Sequence, residues 1–201
     1  MAKEIILPDV RMYWGDLFRL PEKTEDQEGD PKYGGTFIIE PESDAFKLAQ
    51  EAFIATAQEI FGANYVAILN AMEKSKKCIR KGDEYLDKAG NQRPDFVGKR
   101  YIVARNKMKP VVIGPKMQPL IDDGTLYNGC YVNIKVLIQA MKAKGKIPNM
   151  VYARLQAVQY RRKGDAFGAA PGTAEGFGEM DTDDTGGADM TAAGAGGALD
   201  F

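Results

Sequence analysis

Histidine is absent from all 201 residues. That removes Ser-His and Cys-His dyads, most zinc sites and the usual general base near neutral pH. Cysteine is almost absent as well: Cys78 and Cys130 are the only two, and they form no CxxC or other ligand spacing. Neither a disulfide framework nor a zinc site is expected. The paired acids Asp122 and Asp123 precede Gly124 with no third acid at useful spacing, which reads as turn chemistry rather than a metal site. Catalysis lacks its commonest tools, so the chain reads as a non-enzyme without cofactor or metal. No apolar run approaches the roughly 20 residues that cross a bilayer, and the amino terminus has no signal-peptide pattern. The expectation is a soluble cytoplasmic protein with no membrane partner.

Positive charge is what the carboxyl-terminal stretch lacks. Residues 164–201 contain none of the 27 Lys and Arg but eight of the 28 Asp and Glu, so they carry −8 and leave +7 on residues 1–163. A segment rich in Gly and Ala and poor in large apolar residues buries too little surface to offset the entropy of ordering. Residues 164–201 are therefore expected to be a disordered, flexible acidic tail, and residues 1–163 a single folded domain. A Gly-rich coil of that length reaches about 35 Å r.m.s., comparable with the body itself, so the tail can compete for a basic groove there. It carries Asp181, Asp183 and Asp184 and closes on Leu199, Asp200 and Phe201. An aromatic at the last position of a solvated tail suggests a recognition element for a partner.

The body alternates between two periodicities. Residues 4–14 favour an extended segment with Val10, Met12 and Trp14 on one face, and Pro8 argues for a late start or an edge position. A polar stretch to Gly35 is a long loop, and residues 36–40 form a second strand. Ser43 or Asp44 can then cap a helix in which Phe46, Ala49, Phe53, Ala57 and Ile60 recur at helical spacing until Gly62. A shorter helix follows over Tyr65 to Met72. From Lys99 the period is two again. Tyr101, Val103, Arg105 and Lys107 share one face. Val132, Ile134, Val136 and Ile138 face inward on the next strand, and Val151, Ala153, Leu155 and Ala157 share a face of the last. The order predicts a mainly β domain with inserted helices, an α+β arrangement in which a helix covers part of a small barrel.

Three outward strand faces combine an aromatic with cations: Tyr101 with Arg105 and Lys107, Tyr131 with Lys135, and Tyr152 with Arg154. Half-solvated sheets often carry such residues. Three coinciding strands in a body of +7 favour a stripe of stacking platforms between positive charges, the surface that flexible single-stranded nucleic acid requires. Lys142, Lys144 and Lys146 form a basic hairpin loop suited to phosphates, or else a solvated tip. The run Lys74, Lys76, Lys77, Arg80 and Lys81 is open to the same two readings. Trp14 and Tyr33 belong either to the packing or to the stacking surface.

The segments PKYGGTFIIEPESD, GKRYIVARNKMKPVVIG, DDGTLYNGCYVNIKVLIQA and YARLQAVQYRRKGDAFG, in that order, resemble the single-stranded-DNA-binding proteins of tailed bacteriophages, a family long catalogued as a domain of unknown function. The resemblance spans roughly residues 10 to 170. It implies an OB-fold, binding of single-stranded DNA without strong sequence preference, and a role in phage replication, recombination or repair in the host cytoplasm. It further implies that the acidic tail docks replication partners such as a polymerase or helicase through its terminal aromatic, as Asp200 and Phe201 would allow. One departure concerns the loop between the first two strands, which carries Glu22, Glu25, Asp26, Glu28 and Asp30. The hairpin near Lys144 is therefore expected to grip the ligand more than this loop does. Two rivals stand beside the binding reading: a strand-annealing recombination protein, and a virion or scaffolding protein. An exposed edge strand would also allow two copies to pair as a homodimer.

Overall fold

The computed structural model describes residues 2–23, 30–87, 89–121 and 124–167. Asp122, Asp123, the acids Glu25, Asp26 and Glu28, and the tail from 168 onward, with Asp181, Asp183, Asp184, Leu199, Asp200 and Phe201, lie outside them. The compact body spans Met1–Gly168.

Among the described residues seven strands form one sheet: β1 (Lys3–Asp16), β2 (Tyr33–Ile39), β3 (Ile79–Lys81), β4 (Arg100–Asn106), β5 (Val111–Ile113), β6 (Tyr131–Met141) and β7 (Met150–Arg162). Antiparallel pairing runs β4–β2–β1–β6–β7, and a parallel contact between Ala104 and Ala153 joins β4 to β7. The sheet thereby closes into a five-stranded barrel of β1, β2, β4, β7 and β6, the OB-fold arrangement. Its interior is filled by side chains from all five strands, including Leu7, Val10, Phe37, Ile102, Ile134 and Leu155, each at most 1% exposed. β3 lies outside β4, and β5 runs parallel to the far half of β7.

Helix α1 (Asp44–Phe61) is inserted between the second and third barrel strands and packs against β1 and β6. Its buried face is small, with Ala45, Ala49, Ala52, Thr56 and Ala57, so the helix lies close to the barrel, and Phe61 closes the row. Phe46, Phe53 and Ile60 flank that face, half-buried. Ser43 is the N-cap: its hydroxyl oxygen accepts from the Phe46 N–H at 3.2 Å, one of the N–H groups that the first turn leaves without a partner. Gly62 ends the helix in the left-handed region at φ 68°. Ser43→Ala should cost about 1 kcal/mol of stability, read as a lower urea midpoint with an unchanged slope. Helix α2 (Tyr65–Ala71) follows a 3-10 turn. The helical stretch Asp44–Ala71 is, by length and composition, apolar enough to cross a membrane, although no single uninterrupted apolar run predicts it. Its small-residue face is spent on the barrel.

Bulges account for most differences from the alternation read in the sequence. Pro8 marks neither a late start nor an edge, for β1 runs from Lys3 between β2 and β6. Leu7 pairs with Ile134 and Val10 with Val132, so β1 bulges at Pro8 and Asp9, with Asp9 at φ 53°. A second bulge at Tyr13 separates the Met12–Phe37 pair from the Trp14–Thr36 pair. It turns Trp14 away from buried Val10 and Met12, leaving it 37% exposed. A third, at Gln156, moves the buried series of β7 from Ala157 to Val158.

Candidate nucleic-acid interface

An open groove of about 1350 Å³ runs across the outer face of β2 and β4. Thr36, Tyr101, Val103 and Arg105 form its floor. The Tyr13 bulge delivers Tyr13 and Trp14 to one side, and the β6–β7 hairpin contributes Met141, Met150 and Tyr152. This is the face that OB-folds present to oligonucleotides.

The groove is basic. Lys32, Lys76, Lys77, Arg80, Arg93 and Arg105 line it against the single described acid Asp87. Lys76 and Lys77 arrive on a 3-10 turn ahead of β3, whose geometry Arg80 holds by donating to the carbonyls of Lys77 and Ser75, both at 2.8 Å. The run that sequence left open between binding and solvation thus has three members at the groove. Asp16 lies near Arg105, and burial pushes its carboxyl above the usual range despite that cation.

An aromatic cluster sits at one end. Tyr85 and Phe96 stack face to face at 4.0 Å, while Tyr13 and Tyr101 meet them edge-on at 4.8 to 5.5 Å. Tyr85 and Phe96, from the irregular stretch between β3 and β4, lie over Tyr101 of β4 to build it. The turn at Gly82 passes so close to the Phe96 carbonyl that a Cβ would collide with it, and the Gly82 N–H donates to the Lys99 carbonyl at 2.8 Å. Burial, then the neighbouring Tyr13, push the Tyr85 hydroxyl up to about 12. The Tyr85 phenol therefore stays neutral at physiological pH and does not repel phosphate. Cys78 also borders the groove, but burial raises its thiol to about 12, so it is inert.

Of the residues singled out from the sequence, Arg105 and Tyr152 line the groove as side chains open to it. Tyr101 requires a correction. It points to the groove side of β4 but is only 5% exposed, beneath Tyr85 and Phe96, and forms a second small core with Ile38. Local alternation cannot show that an irregular segment, here the one just before β4, covers a strand face. Lys107 lies just past β4, paired with Asp30 at 2.7 Å. Arg154 stands over the Tyr152 ring at 5.8 Å, outside the groove. Lys142, Lys144 and Lys146 sit on the exposed hairpin whose base borders the groove, and the backbone of Lys144 pairs with Ile147.

Tyr131 and Lys135 do face outward, but on β6, on a different sector of the barrel. Lys135 pairs with Glu4 at 2.7 Å. The Arg162 guanidinium lies 3.4 Å from the Tyr131 ring centroid and is itself held by Asp9 at 2.9 and 3.0 Å. The three platforms therefore do not form one stripe. Residues that sequence reasoning did not place there are Tyr13, Lys32, Tyr85, Arg93 and Phe167. The available signal for Phe167 was a lone aromatic in a Gly-flanked polar stretch.

Comparison with known proteins places this geometry in context. Residues 3–186 match the model of the family described as the ssDNA-binding protein of Enterobacter phage Enc34. Protein p50 of Acyrthosiphon pisum secondary endosymbiont phage 1 is 32% identical over 171 residues, covering 82% of this chain and 86% of its own. Among solved structures, the single-stranded DNA-binding protein from bacteriophage Enc34 in complex with ssDNA superposes with a TM-score of 0.63 at 22% identity, covering 82% of this chain and 89% of that one. The single-stranded DNA-binding protein gp2.5 of bacteriophage T7 gives a TM-score of 0.54 at 11% identity, covering 89% and 98%. At those identities the two structures bear on the fold, and the family match carries the assignment. A closed OB barrel with a basic, aromatic groove and a match over nearly the whole chain lead to one conclusion: this chain belongs to the Enc34 single-stranded-DNA-binding protein family, a family of DNA-binding proteins rather than enzymes.

Proposed function

We propose that the chain binds single-stranded DNA in the groove over β2 and β4 without sequence preference, and so serves phage DNA replication, recombination or repair in the host cytoplasm. The observation that carries this is the composition of the groove: six cations and, besides the covered Tyr101, five aromatic residues among the described lining, with one acid. Every base has a face that can stack on an aromatic ring, and Lys and Arg track the backbone, so such a surface holds any sequence. Fluorescence titration of oligo-dT across a salt series tests it. Binding should weaken with salt, log K falling by about 0.7 per phosphate contacted per decade of salt. Absent or salt-independent binding would refute the reading.

The tail supplies the second half of the proposal. Beyond Phe167 the chain carries seven acids and no Lys or Arg, and Phe167 itself lines the groove. The acids compete with phosphates for the groove, and Leu199, Asp200 and Phe201 recruit a replication protein such as a polymerase or helicase once DNA displaces them. A chain ending at Phe167 should bind oligo-dT several-fold more tightly at low salt, the advantage fading as salt screens it. Deleting Phe201 alone should spare DNA affinity and impair partner capture. A truncation that leaves affinity unchanged at every salt removes the competition and leaves only recruitment.

A further inference from the structure

Residues 164–167 do not leave the barrel where β7 ends. The Tyr127 hydroxyl donates to the Gly164 carbonyl at 2.8 Å and accepts from the Gly164 N–H at 3.1 Å. Arg11 donates from Nη2 to the Asp165 carbonyl at 2.7 Å and from Nε to the Gly129 carbonyl at 3.1 Å. The Phe167 N–H donates to the Asn128 carbonyl at 2.9 Å. The seat is shaped for backbone. A Cβ on Gly129, at φ 116°, would collide with the Asp165 carbonyl, and a Cβ on Gly164 would meet the Tyr131 ring at 2.9 and 3.0 Å. Two facing glycines are what let this strap lie flat.

The strap delivers one ring. Phe167 lies 4.1 Å beneath the Arg11 guanidinium and meets Tyr13 edge-on at 5.4 Å. It is half-buried and sits at the end of the groove that also holds Tyr85 and Arg93. A guanidinium plane over a flat ring, next to an aromatic wall in a basic groove, is the geometry in which unstacked nucleobases are held. Phe167 hangs from a short strap beyond the end of β7, so its displacement would break no strand pairing of the barrel.

We propose that the slot between Arg11 and Tyr13 is a nucleobase-stacking subsite, and that Phe167 occupies it as an intramolecular stand-in which an entering base displaces. The proposal rests on the single-stranded-DNA reading above and deepens it. It assigns binding roles to Arg11 and Tyr13 and makes the strap a built-in competitor distinct from the acidic tail. The two competitors differ in kind: an uncharged ring competes by stacking, which salt does not screen, whereas the tail's acids act through charge.

The test is titration of the full-length chain with labelled oligo-dT of about 16 nucleotides, the upper site size of one OB-fold, at several salt concentrations. Phe167→Ala should bind about five- to tenfold more tightly than the unaltered chain, and by the same factor at every salt. Phe167→Tyr, which refills the slot, should restore the original affinity. Gly164→Ala, which unseats the strap while keeping the ring, should also tighten binding. Thermal unfolding checks that each variant is folded. Weaker binding by Phe167→Ala would make the ring a platform for DNA and overturn the proposal. Unchanged affinity would make it a packing residue and overturn it as well, as would a gain that fades with salt. If the unaltered chain itself fails to bind oligo-dT, the functional reading has failed before the strap is tested.

Discussion

Replacing Trp14 and Tyr152 together by alanine should lower affinity for oligo-dT by about 30-fold or more, since each base stacked on an aromatic contributes about 1 to 3 kcal/mol. The two rings enter the groove from different strands, β1 and β7, and neither belongs to the buried core. Trp14 is 37% exposed because the bulge at Tyr13 turned it outward. Stability should therefore change little, and a thermal scan separates lost binding from lost fold. Tyr131→Ala is the matched control. Its ring is covered by Arg162 and lies outside the groove, so its removal should not weaken binding. If the double substitution leaves affinity intact, the groove over β2 and β4 is not the DNA site. If Tyr131→Ala weakens binding as much, the site lies on the outer face of β6 instead.

That contrast also shows what the sequence could reveal. The five barrel strands and most of their burial were legible, because a residue of period two inside a closed barrel is either core or surface; β3 was not, its three residues lying in a basic run. Val132, Ile134, Val136 and Ile138 are all fully buried as their alternation required. The ends of α1 were legible too, since Ser43 and Gly62 act through short-range chemistry. Alternation states which face a residue takes but not which sector of a barrel that face looks onto. Tyr131 on β6 and Arg105 on β4 both point outward, and they serve different surfaces. Bulges were the second blind spot. One extra residue at Tyr13 or Gln156 exchanges the two faces downstream of it, and neither residue announces a bulge by its type. The third was cover by an irregular segment: Tyr101 is buried by Tyr85 and Phe96 from the stretch before β4, whose path depends on Gly82 packing under Phe96. Non-local folding gave Lys76 and Lys77 a place at the groove, a choice that their charge run alone left open.

Those lysines define the second large effect. Lys76→Gln, Lys77→Gln and Arg105→Gln together remove three of the cations lining the groove. They leave in place Arg80, whose guanidinium holds the turn before β3. If each of the three neutralises one phosphate, the salt slope of log K should fall by about 2, at about 0.7 per contact on single strands. Counterion release vanishes near 1 M salt, so the binding lines of the triple variant and the unaltered chain should converge there. Extrapolated from that point, the loss of affinity is about 50-fold at 0.15 M salt and about 500-fold at 0.05 M. Stacking residues predict the opposite signature, a loss of similar size at every salt with the slope preserved. The two sets of variants thus separate the two components of the groove by slope alone. A triple variant that loses affinity without losing slope would mean that these cations shape the groove without touching phosphate. One that keeps both would move the backbone path off this side of the barrel, toward the hairpin carrying Lys142, Lys144 and Lys146.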